Sequence, residues 1–440
     1  MAYAIVRGLA RLLLAVFYRR LEVHGLERVP PHGPLVVAAN HHNALVDALL
    51  VIATIPRRLA PLAKAPLFAH PLIAPFLWLA GAIMVHRRQE SEGGVADNEK
   101  MFAATTDALR HGGAILIFPE GVSQPQPKLL PLRTGAARLT LDAEAMTPGL
   151  GVTVLPVGLV FHRPAEFRTG RAIVVVGERV TIDDLVDQYR QAPGPAVREL
   201  TDRIAVALRA LIVEAQDSQT LRVLEVAHEI WEKDEPEPSA AERVAWMQEA
   251  LRRWNTLSPD LRDRVERLRR ELERYDKDVG VTDGVPTASR RQALSDGVFV
   301  ALGLPLALTG IVLHGPGYRA TSASVAALHP EPDTSATYQL AVGLVLFPLS
   351  WVLEAAVLAW AGGPWVVALF AVLLVPTGFF ALAWRERLRR FRHEMKASAR
   401  GVLRGDPRAA RAARRQWLRD ELATLARLTA SASGRAGSGR

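Results

Sequence analysis

Apolar positions come in short separated clusters along the first half of the chain and fuse into long unbroken runs in the second. The clusters Leu35 to Ala39, Ala82 to Val85, Ala114 to Phe118, Thr153 to Val160 and Ala172 to Val176 have the length and composition of buried strands. Between them, Ala96 to Arg110 and Gly135 to Ala145 carry helical spacing. This alternation over residues 21–194 predicts an α/β layered domain around a mainly buried sheet, with its functional groups at strand ends.

The pattern then changes. Residues 195–290 read as a charged helical region and linker, with segments Val197 to Ala215, Ala240 to Trp254 and Asp260 to Tyr275 broken at Pro236, Pro238 and Pro259. Their charges fall at helical spacing and are assigned to solvated faces. Residues 296–384 are almost uncharged, and a run of about 20 apolar residues matches the ~30 Å hydrocarbon core of a bilayer. The segments 296–317, 339–361 and 365–384 are therefore predicted membrane helices, with Gly362, Gly363 and Pro364 as the turn between the last two. Glu354 is the one charge in the second long run and is expected to face protein or a polar cavity.

Composition sharpens this picture. With 440 residues, 49% of them hydrophobic, the chain has room for several units and leans away from an ordinary soluble enzyme. It has no cysteine, which excludes disulfides, thiolate zinc sites and cysteine nucleophiles. The net charge of +9 is concentrated in a basic tail, residues 385–440, where Arg385, Arg387, Arg389, Arg390, Arg392, Lys396 and Arg400 follow the last apolar run. A cluster in that position suits anionic lipid head groups on the cytoplasmic side, which is a stronger reading than a nucleic-acid partner. From Thr429 on, the Ser, Ala, Gly and Arg composition predicts no order. Residues 1–20 are apolar but interrupted by Arg7 and Arg11 and lack a cleavage signature, so they read as a helix lying in the membrane interface. If the α/β domain and the tail both face the cytoplasm, the number of full crossings is even, so one of the apolar segments must dip in and return. The stretch Arg319 to Gln339 is poor in positive charge and suits the outer side.

Candidate chemistry begins at Asn40-His41-His42-Asn43-Ala44-Leu45-Val46-Asp47, directly after the first apolar cluster. A histidine polarised by a carboxylate is a general base able to take a proton from a hydroxyl at neutral pH. Three further blocks follow in order. Gly81 to Arg87 places an arginine, a fork of donors suited to phosphate, just past a strand. Phe118-Pro119-Glu120-Gly121-Val122-Ser123 stops a strand, turns on a glycine and presents a glutamate. Val154-Leu155-Pro156-Val157 is an apolar block ended or kinked by proline. A serine hydrolase is disfavoured because Gly121-Val122-Ser123-Gln124-Pro125 lacks the second glycine of a nucleophile elbow. His41, His42 and Asp47 are too few for a metal hydrolase, so no metal is expected.

These four blocks, in this order, resemble the glycerolipid acyltransferase family, the PlsC-like enzymes. The resemblance covers roughly residues 20–180 and extends to Lys64, Arg133-Thr134-Gly135 and Phe167-Arg168. It implies direct acyl transfer from acyl-CoA or acyl carrier protein, used as co-substrate with no cofactor, to glycerol 3-phosphate, lysophosphatidate or another lysolipid. On this reading His41 or His42, oriented by Asp47, is the base. The usual spacing selects His42, whereas the preceding asparagine selects His41, which is preferred. Arg87, with the turn of Phe118, Pro119, Glu120 and Gly121, would hold the acceptor's glycerol phosphate, with Ser123 assisting, and Pro156 belongs to the block assigned to the acyl donor. Integral location in the cell inner membrane, with the site on the cytoplasmic face and lipids as neighbours, completes the expectation.

Overall fold

The strands, in chain order, are β1 (Arg20–His24), β2 (Leu35–Ala39), β3 (Leu59–Lys64), β4 (Ile83–Val85), β5 (Ala114–Ile117), β6 (Thr153–His162) and β7 (Arg171–Val176). They form one seven-stranded sheet in the order β1-β7-β6-β2-β5-β3-β4, among the residues described by this computed structural model. Those residues are 2–71, 73–86, 96–162, 167–168, 171–232, 240–255, 259–279, 290–404 and 407–437. Every pairing is parallel except β6 with β7. The strand β2 lies between β5 and β6, and all five of its side chains, Leu35, Val36, Val37, Ala38 and Ala39, are at 0% exposure. A strand covered on both faces reads as an unbroken apolar run, and each Leu or Val so buried contributes roughly 1.5–3 kcal/mol. The result is a rigid rod whose C-terminal end carries His41.

Around the sheet lie α1 (Ala2–Phe17), α2 (Ala44–Thr54), α3 (Ala74–Ala80), α4 (Ala96–Arg110), α5 (Gly135–Met146), α6 (Asp183–Gln191) and α7 (Pro193–Arg209). There follow α8 (Ser218–Glu232), α9 (Ala240–Asn255), α10 (Pro259–Val279), α11 (Arg290–Leu328), α12 (Ser335–Gly362), α13 (Pro364–Arg404) and α14 (Pro407–Gly437). The chain divides into two units: Met1–Leu221, Pro238–Glu249 and Glu331–Thr337 make the first, and Arg222–Glu237, Ala250–Pro330 and Tyr338–Arg440 the second.

In the first unit, the sequence pattern misses two strands for different reasons. β1 is an edge strand whose Arg20, Glu22 and His24 alternate with apolar residues, and β3 contains Pro61, which argues against a strand. The helix α7 crosses the expected boundary at residue 195 and buries Ala196, Val197, Leu200, Ile204 and Leu208 in this unit. The N-terminal helix also departs from expectation. Val6, Ala10, Leu14 and Phe17 of α1 are buried, and Arg7 and Arg11 point inward to the end of α2, bonding Ile55 O at 2.8 Å and Ala53 O at 3.0 Å. These two cations neutralise the carbonyl-rich end of a helix rather than reaching for head groups.

The second unit contains helices long and apolar enough to cross a membrane: Leu294–Leu328, Ser335–Gly362 and Pro364–Arg392. α11 and α13 run antiparallel, joined by Asp296 to Arg390 at 3.0 Å, Trp384 Nε1 to Val300 O at 2.9 Å, and His314 Nε2 to Leu374 O at 3.0 Å. Gly310 permits this approach, since a Cβ there would stand 2.3 Å from Thr377 O. α11 is one continuous helix with Pro305 and Pro316 inside it. Two expectations are corrected. Arg390 is paired with Asp296, and the Arg387 guanidinium lies 3.7 Å over the Phe299 ring, so these two tail cations have protein partners. α14 continues to Gly437, past the point where the composition predicts no order. Both carboxylate oxygens of Glu354 are buried without a partner among the described residues.

Candidate active site

The end of β2 is fastened before the chemistry begins. Asn40 is fully buried and clamps β2 to β6, its Nδ2 donating to Leu159 O at 2.9 Å and its Oδ1 accepting from Leu159 N at 2.6 Å. The backbone then turns through Ala44, at φ 43 in the left-handed region, a conformation that costs an alanine roughly 1–2 kcal/mol. That turn brings three donors onto one oxygen of Asp47: His41 Nδ1 at 2.8 Å, His42 N at 2.7 Å and Asn43 N at 2.8 Å. Asp47 sits in the first turn of α2 with no exposed surface, and its Oδ1 has no partner among the described residues.

The two histidines are thereby distinguished. His41 presents its Nδ1 to the carboxylate, keeps its side chain 18% exposed, and stacks on Phe118 with ring centroids 4.2 Å apart at 16°. His42 meets Asp47 only through its backbone; its Nδ1 lies 3.2 Å from Gln124 O and its ring is nearly buried. Burial lowers the His42 pKa, against the opposing pull of Asp47 and the Gln124 carbonyl, so the ring is neutral at pH 7.

The Phe118 to Ser123 block closes around the same backbone. Gly121 takes φ +74 and its N donates to Phe118 O at 3.0 Å; a Cβ there would stand 2.7 Å from Arg133 Nε. Glu120 is 2% exposed, and both of its oxygens are occupied, by His41 N at 2.7 Å and Leu130 N at 2.8 Å. Burial pushes its carboxyl up to about 7, with those two N–H groups and His41 pulling it down. Gln124 N also donates to His41 O at 3.2 Å. Glu120 therefore fixes the loop that carries His41. Phe118 is the face against which His41 stacks, and Pro119 O accepts from Arg133 N at 2.8 Å.

Other expected residues fall elsewhere. Pro156 is buried inside β6 opposite Ala38, its carbonyl taken by Gly177 N at 2.9 Å. Arg87 lies outside the described residues. The strand before it, β4, ends beside Lys64 of β3, at the same C-terminal edge as His41. Arg168 donates to Ala15 O at 2.9 Å near the end of α1. Ser123 donates to Asp333 Oδ2 at 2.5 Å. Gln124 and Asp333 carry no signal in a single sequence, since their roles are set by a backbone partner or by a contact 210 positions away. Among the described residues, no group of three or more acidic or histidine side chains is placed to hold a metal.

A family model described as Acyltransferase matches residues 20–160, the span that holds Asp47, Glu120 and both histidines. The chain carries an acyltransferase domain. Glycerol-3-phosphate O-acyltransferase 2 of Saccharomyces cerevisiae is 34% identical over 137 residues, 31% of this chain and 18% of that protein. The 1-acyl-sn-glycerol-3-phosphate acyltransferase alpha of Bos taurus is 31% identical over 196 residues, 41% of this chain and 64% of that protein. The chain thus spans less than a fifth of the yeast relative and just under two thirds of the bovine one. The crystal structure of the 1-acyl-sn-glycerophosphate acyltransferase PlsC from Thermotoga maritima aligns with 45% of this chain and 79% of that one. The two are 20% identical, with a TM-score of 0.33. The helices α11 to α14 lie beyond residues 20–160.

Proposed function

We propose that the chain is a membrane-bound O-acyltransferase that moves a fatty acyl group from acyl-CoA or acyl carrier protein to a hydroxyl of glycerol 3-phosphate or lysophosphatidate. The observation that carries this reading is the His41 and Asp47 pair, 2.8 Å apart, which leaves His41 Nε2 with no protein partner among the described residues. With the Nδ1 proton donated to Asp47, the lone pair sits on Nε2, facing away from the carboxylate.

In the proposed reaction Nε2 takes the acceptor's hydroxyl proton as that oxygen attacks the thioester carbonyl carbon. Asp47 balances the imidazolium that forms. The tetrahedral intermediate collapses with loss of the C–S bond, and the imidazolium returns its proton to the departing sulfur. Proton transfer of this kind contributes roughly 10² to 10⁴-fold, and positioning supplies the remainder. Glu120, Phe118 and the Asn40 clamp serve positioning, because each restrains the loop or ring of His41. Arg87, Lys64 and Arg133 are the cations proposed to receive the acceptor's phosphate.

Apolar helices beside such a domain suit the chemistry, since each acyl CH₂ kept out of water is worth about 0.8 kcal/mol. The proposed location is the inner membrane with the site on the cytoplasmic face. The test is release of free thiol from palmitoyl-CoA by purified protein with and without glycerol 3-phosphate or lysophosphatidate. Acceptor-dependent release supports the proposal, and thiol release indifferent to either acceptor overturns it.

A further inference from the structure

The segment Glu331–Thr337, between the first two apolar helices, belongs to the same unit as the sheet. Its lack of basic residues suits the outer side of a membrane by charge alone, while its contacts are with the sheet unit. Glu331 O accepts from Thr334 N, Ser335 N and Thr334 Oγ1, each at 3.0 Å, so the turn that presents Asp333 is held by its own backbone. Asp333 is 7% exposed, Ala336 fully buried and Thr337 9% exposed.

Ser123 is the only hydrogen-bond partner of the Asp333 carboxylate among the described residues. A buried carboxylate facing a single hydroxyl is a poor stabilising device, because desolvation of the charge is only partly offset. It does, however, dictate what the hydroxyl can do. A serine hydroxyl has one proton and two lone pairs, and an ionised carboxylate accepts only, so Ser123 spends its proton on Asp333. What remains for a ligand is lone pairs. The position is close to the reacting group: Ser123 precedes Gln124, whose N bonds His41 O and whose O lies 3.2 Å from His42 Nδ1. Phosphate oxygens are acceptors too, so Ser123 in this state does not assist in binding phosphate, as the motif alone suggests.

We propose that Asp333 is a positioning residue of the acceptor site, locking the Ser123 hydroxyl as a hydrogen-bond acceptor for a second hydroxyl on the acceptor, adjacent to the one being acylated. This rests on the acyl-transfer reading above and narrows it. Glycerol 3-phosphate has that neighbouring hydroxyl. A 1-acyl lysophosphatidate has an ester in its place, which offers no proton.

The test uses the full chain in lipid nanodiscs with palmitoyl-CoA, comparing glycerol 3-phosphate with 3-hydroxypropyl phosphate, which lacks only the second hydroxyl. The wild type is expected to favour glycerol 3-phosphate in kcat/KM by roughly tenfold, the worth of one well-made hydrogen bond. Asp333→Asn and Ser123→Ala are each expected to bring that ratio close to one, mainly by raising the KM for glycerol 3-phosphate, and the double variant to lose nothing more. Equal loss of both activities, with the ratio kept, marks a structural contact and overturns the proposal. So does a wild type that acylates both acceptors alike. A wild type that acylates lysophosphatidate but neither of these two also overturns the proposal, while one that acylates none of the three refutes the acyl-transfer reading itself.

Discussion

Replacing Asp47 with asparagine isolates charge from shape at the centre of the site. Asp47 Oδ2 receives one imidazole and two backbone donors at 2.7 to 2.8 Å, while Oδ1 has no partner among the described residues. In Asp47→Asn the amide oxygen can keep all three bonds, and the NH₂ takes the place of Oδ1. The fold then loses about 1–3 kcal/mol for a buried amide without an acceptor. Turnover loses more, because a neutral amide cannot balance the imidazolium formed when His41 takes the acceptor's proton. If base catalysis supplies about 10² to 10⁴-fold, kcat should fall by that factor, or roughly 2.7–5.4 kcal/mol, with both KM values nearly unchanged. Thiol release from palmitoyl-CoA, followed under saturating acceptor on protein shown to be folded by circular dichroism, measures it. A kcat within threefold of wild type would refute the reasoning. Asp47→Ala is a poorer probe, since it also strips the N–H groups of His42 and Asn43 of their acceptor and disturbs the start of α2.

Other perturbations test the support around that pair. Glu120→Gln sets an NH₂ against either His41 N or Leu130 N, so it should destabilise the fold by about 1–3 kcal/mol and slow turnover; unchanged thermal stability contradicts the bonding described. The same carboxyl also sets a pH dependence. Its pKa is raised from 4.5 in the unfolded chain to about 7, so its contribution is fully present below 4.5 and lost as pH rises through 7. Between pH 5 and 7 wild-type stability should fall by up to about 1.4 kcal/mol per pH unit, a slope that Glu120→Gln removes; parallel pH profiles would contradict it. Asn40→Ala leaves Leu159 N–H and C=O unpaired in a buried place, and unfolding should become easier by about 2–4 kcal/mol in a denaturation series. Gly121→Ala is strained both by φ +74 and by Arg133 Nε at 2.7 Å, and should lower stability by about 1–2 kcal/mol and slow turnover; a neutral outcome contradicts the turn described.

The legible parts of this protein are those governed by local pattern. β2, β5, β6 and β7 are found because strands buried on both faces are continuous apolar runs, and α11 to α13 because long uncharged stretches suit hydrocarbon. β1 and β3 escape notice because an edge strand tolerates charge and because Pro61 contradicts its own context. Asp47 and His41 stand out by residue type, and the choice between His41 and His42 stays open until the backbone shows which ring meets the carboxylate. Glu120 is noticed by its turn, but sequence does not reveal that both its oxygens accept main-chain N–H groups. Arg7, Arg11 and Arg390 read as lipid-facing cations because charge count ignores partners such as Ala53 O, Ile55 O and Asp296. Asp333 is invisible for the same reason.

The most direct test sets His41→Ala against His42→Ala in acceptor-dependent acylation by the purified full chain. With His41 as the base, its removal should lower kcat by 10² or more while His42→Ala stays within about tenfold of wild type. Near-normal kcat in folded His41→Ala, or loss of activity confined to His42→Ala, would contradict the assignment.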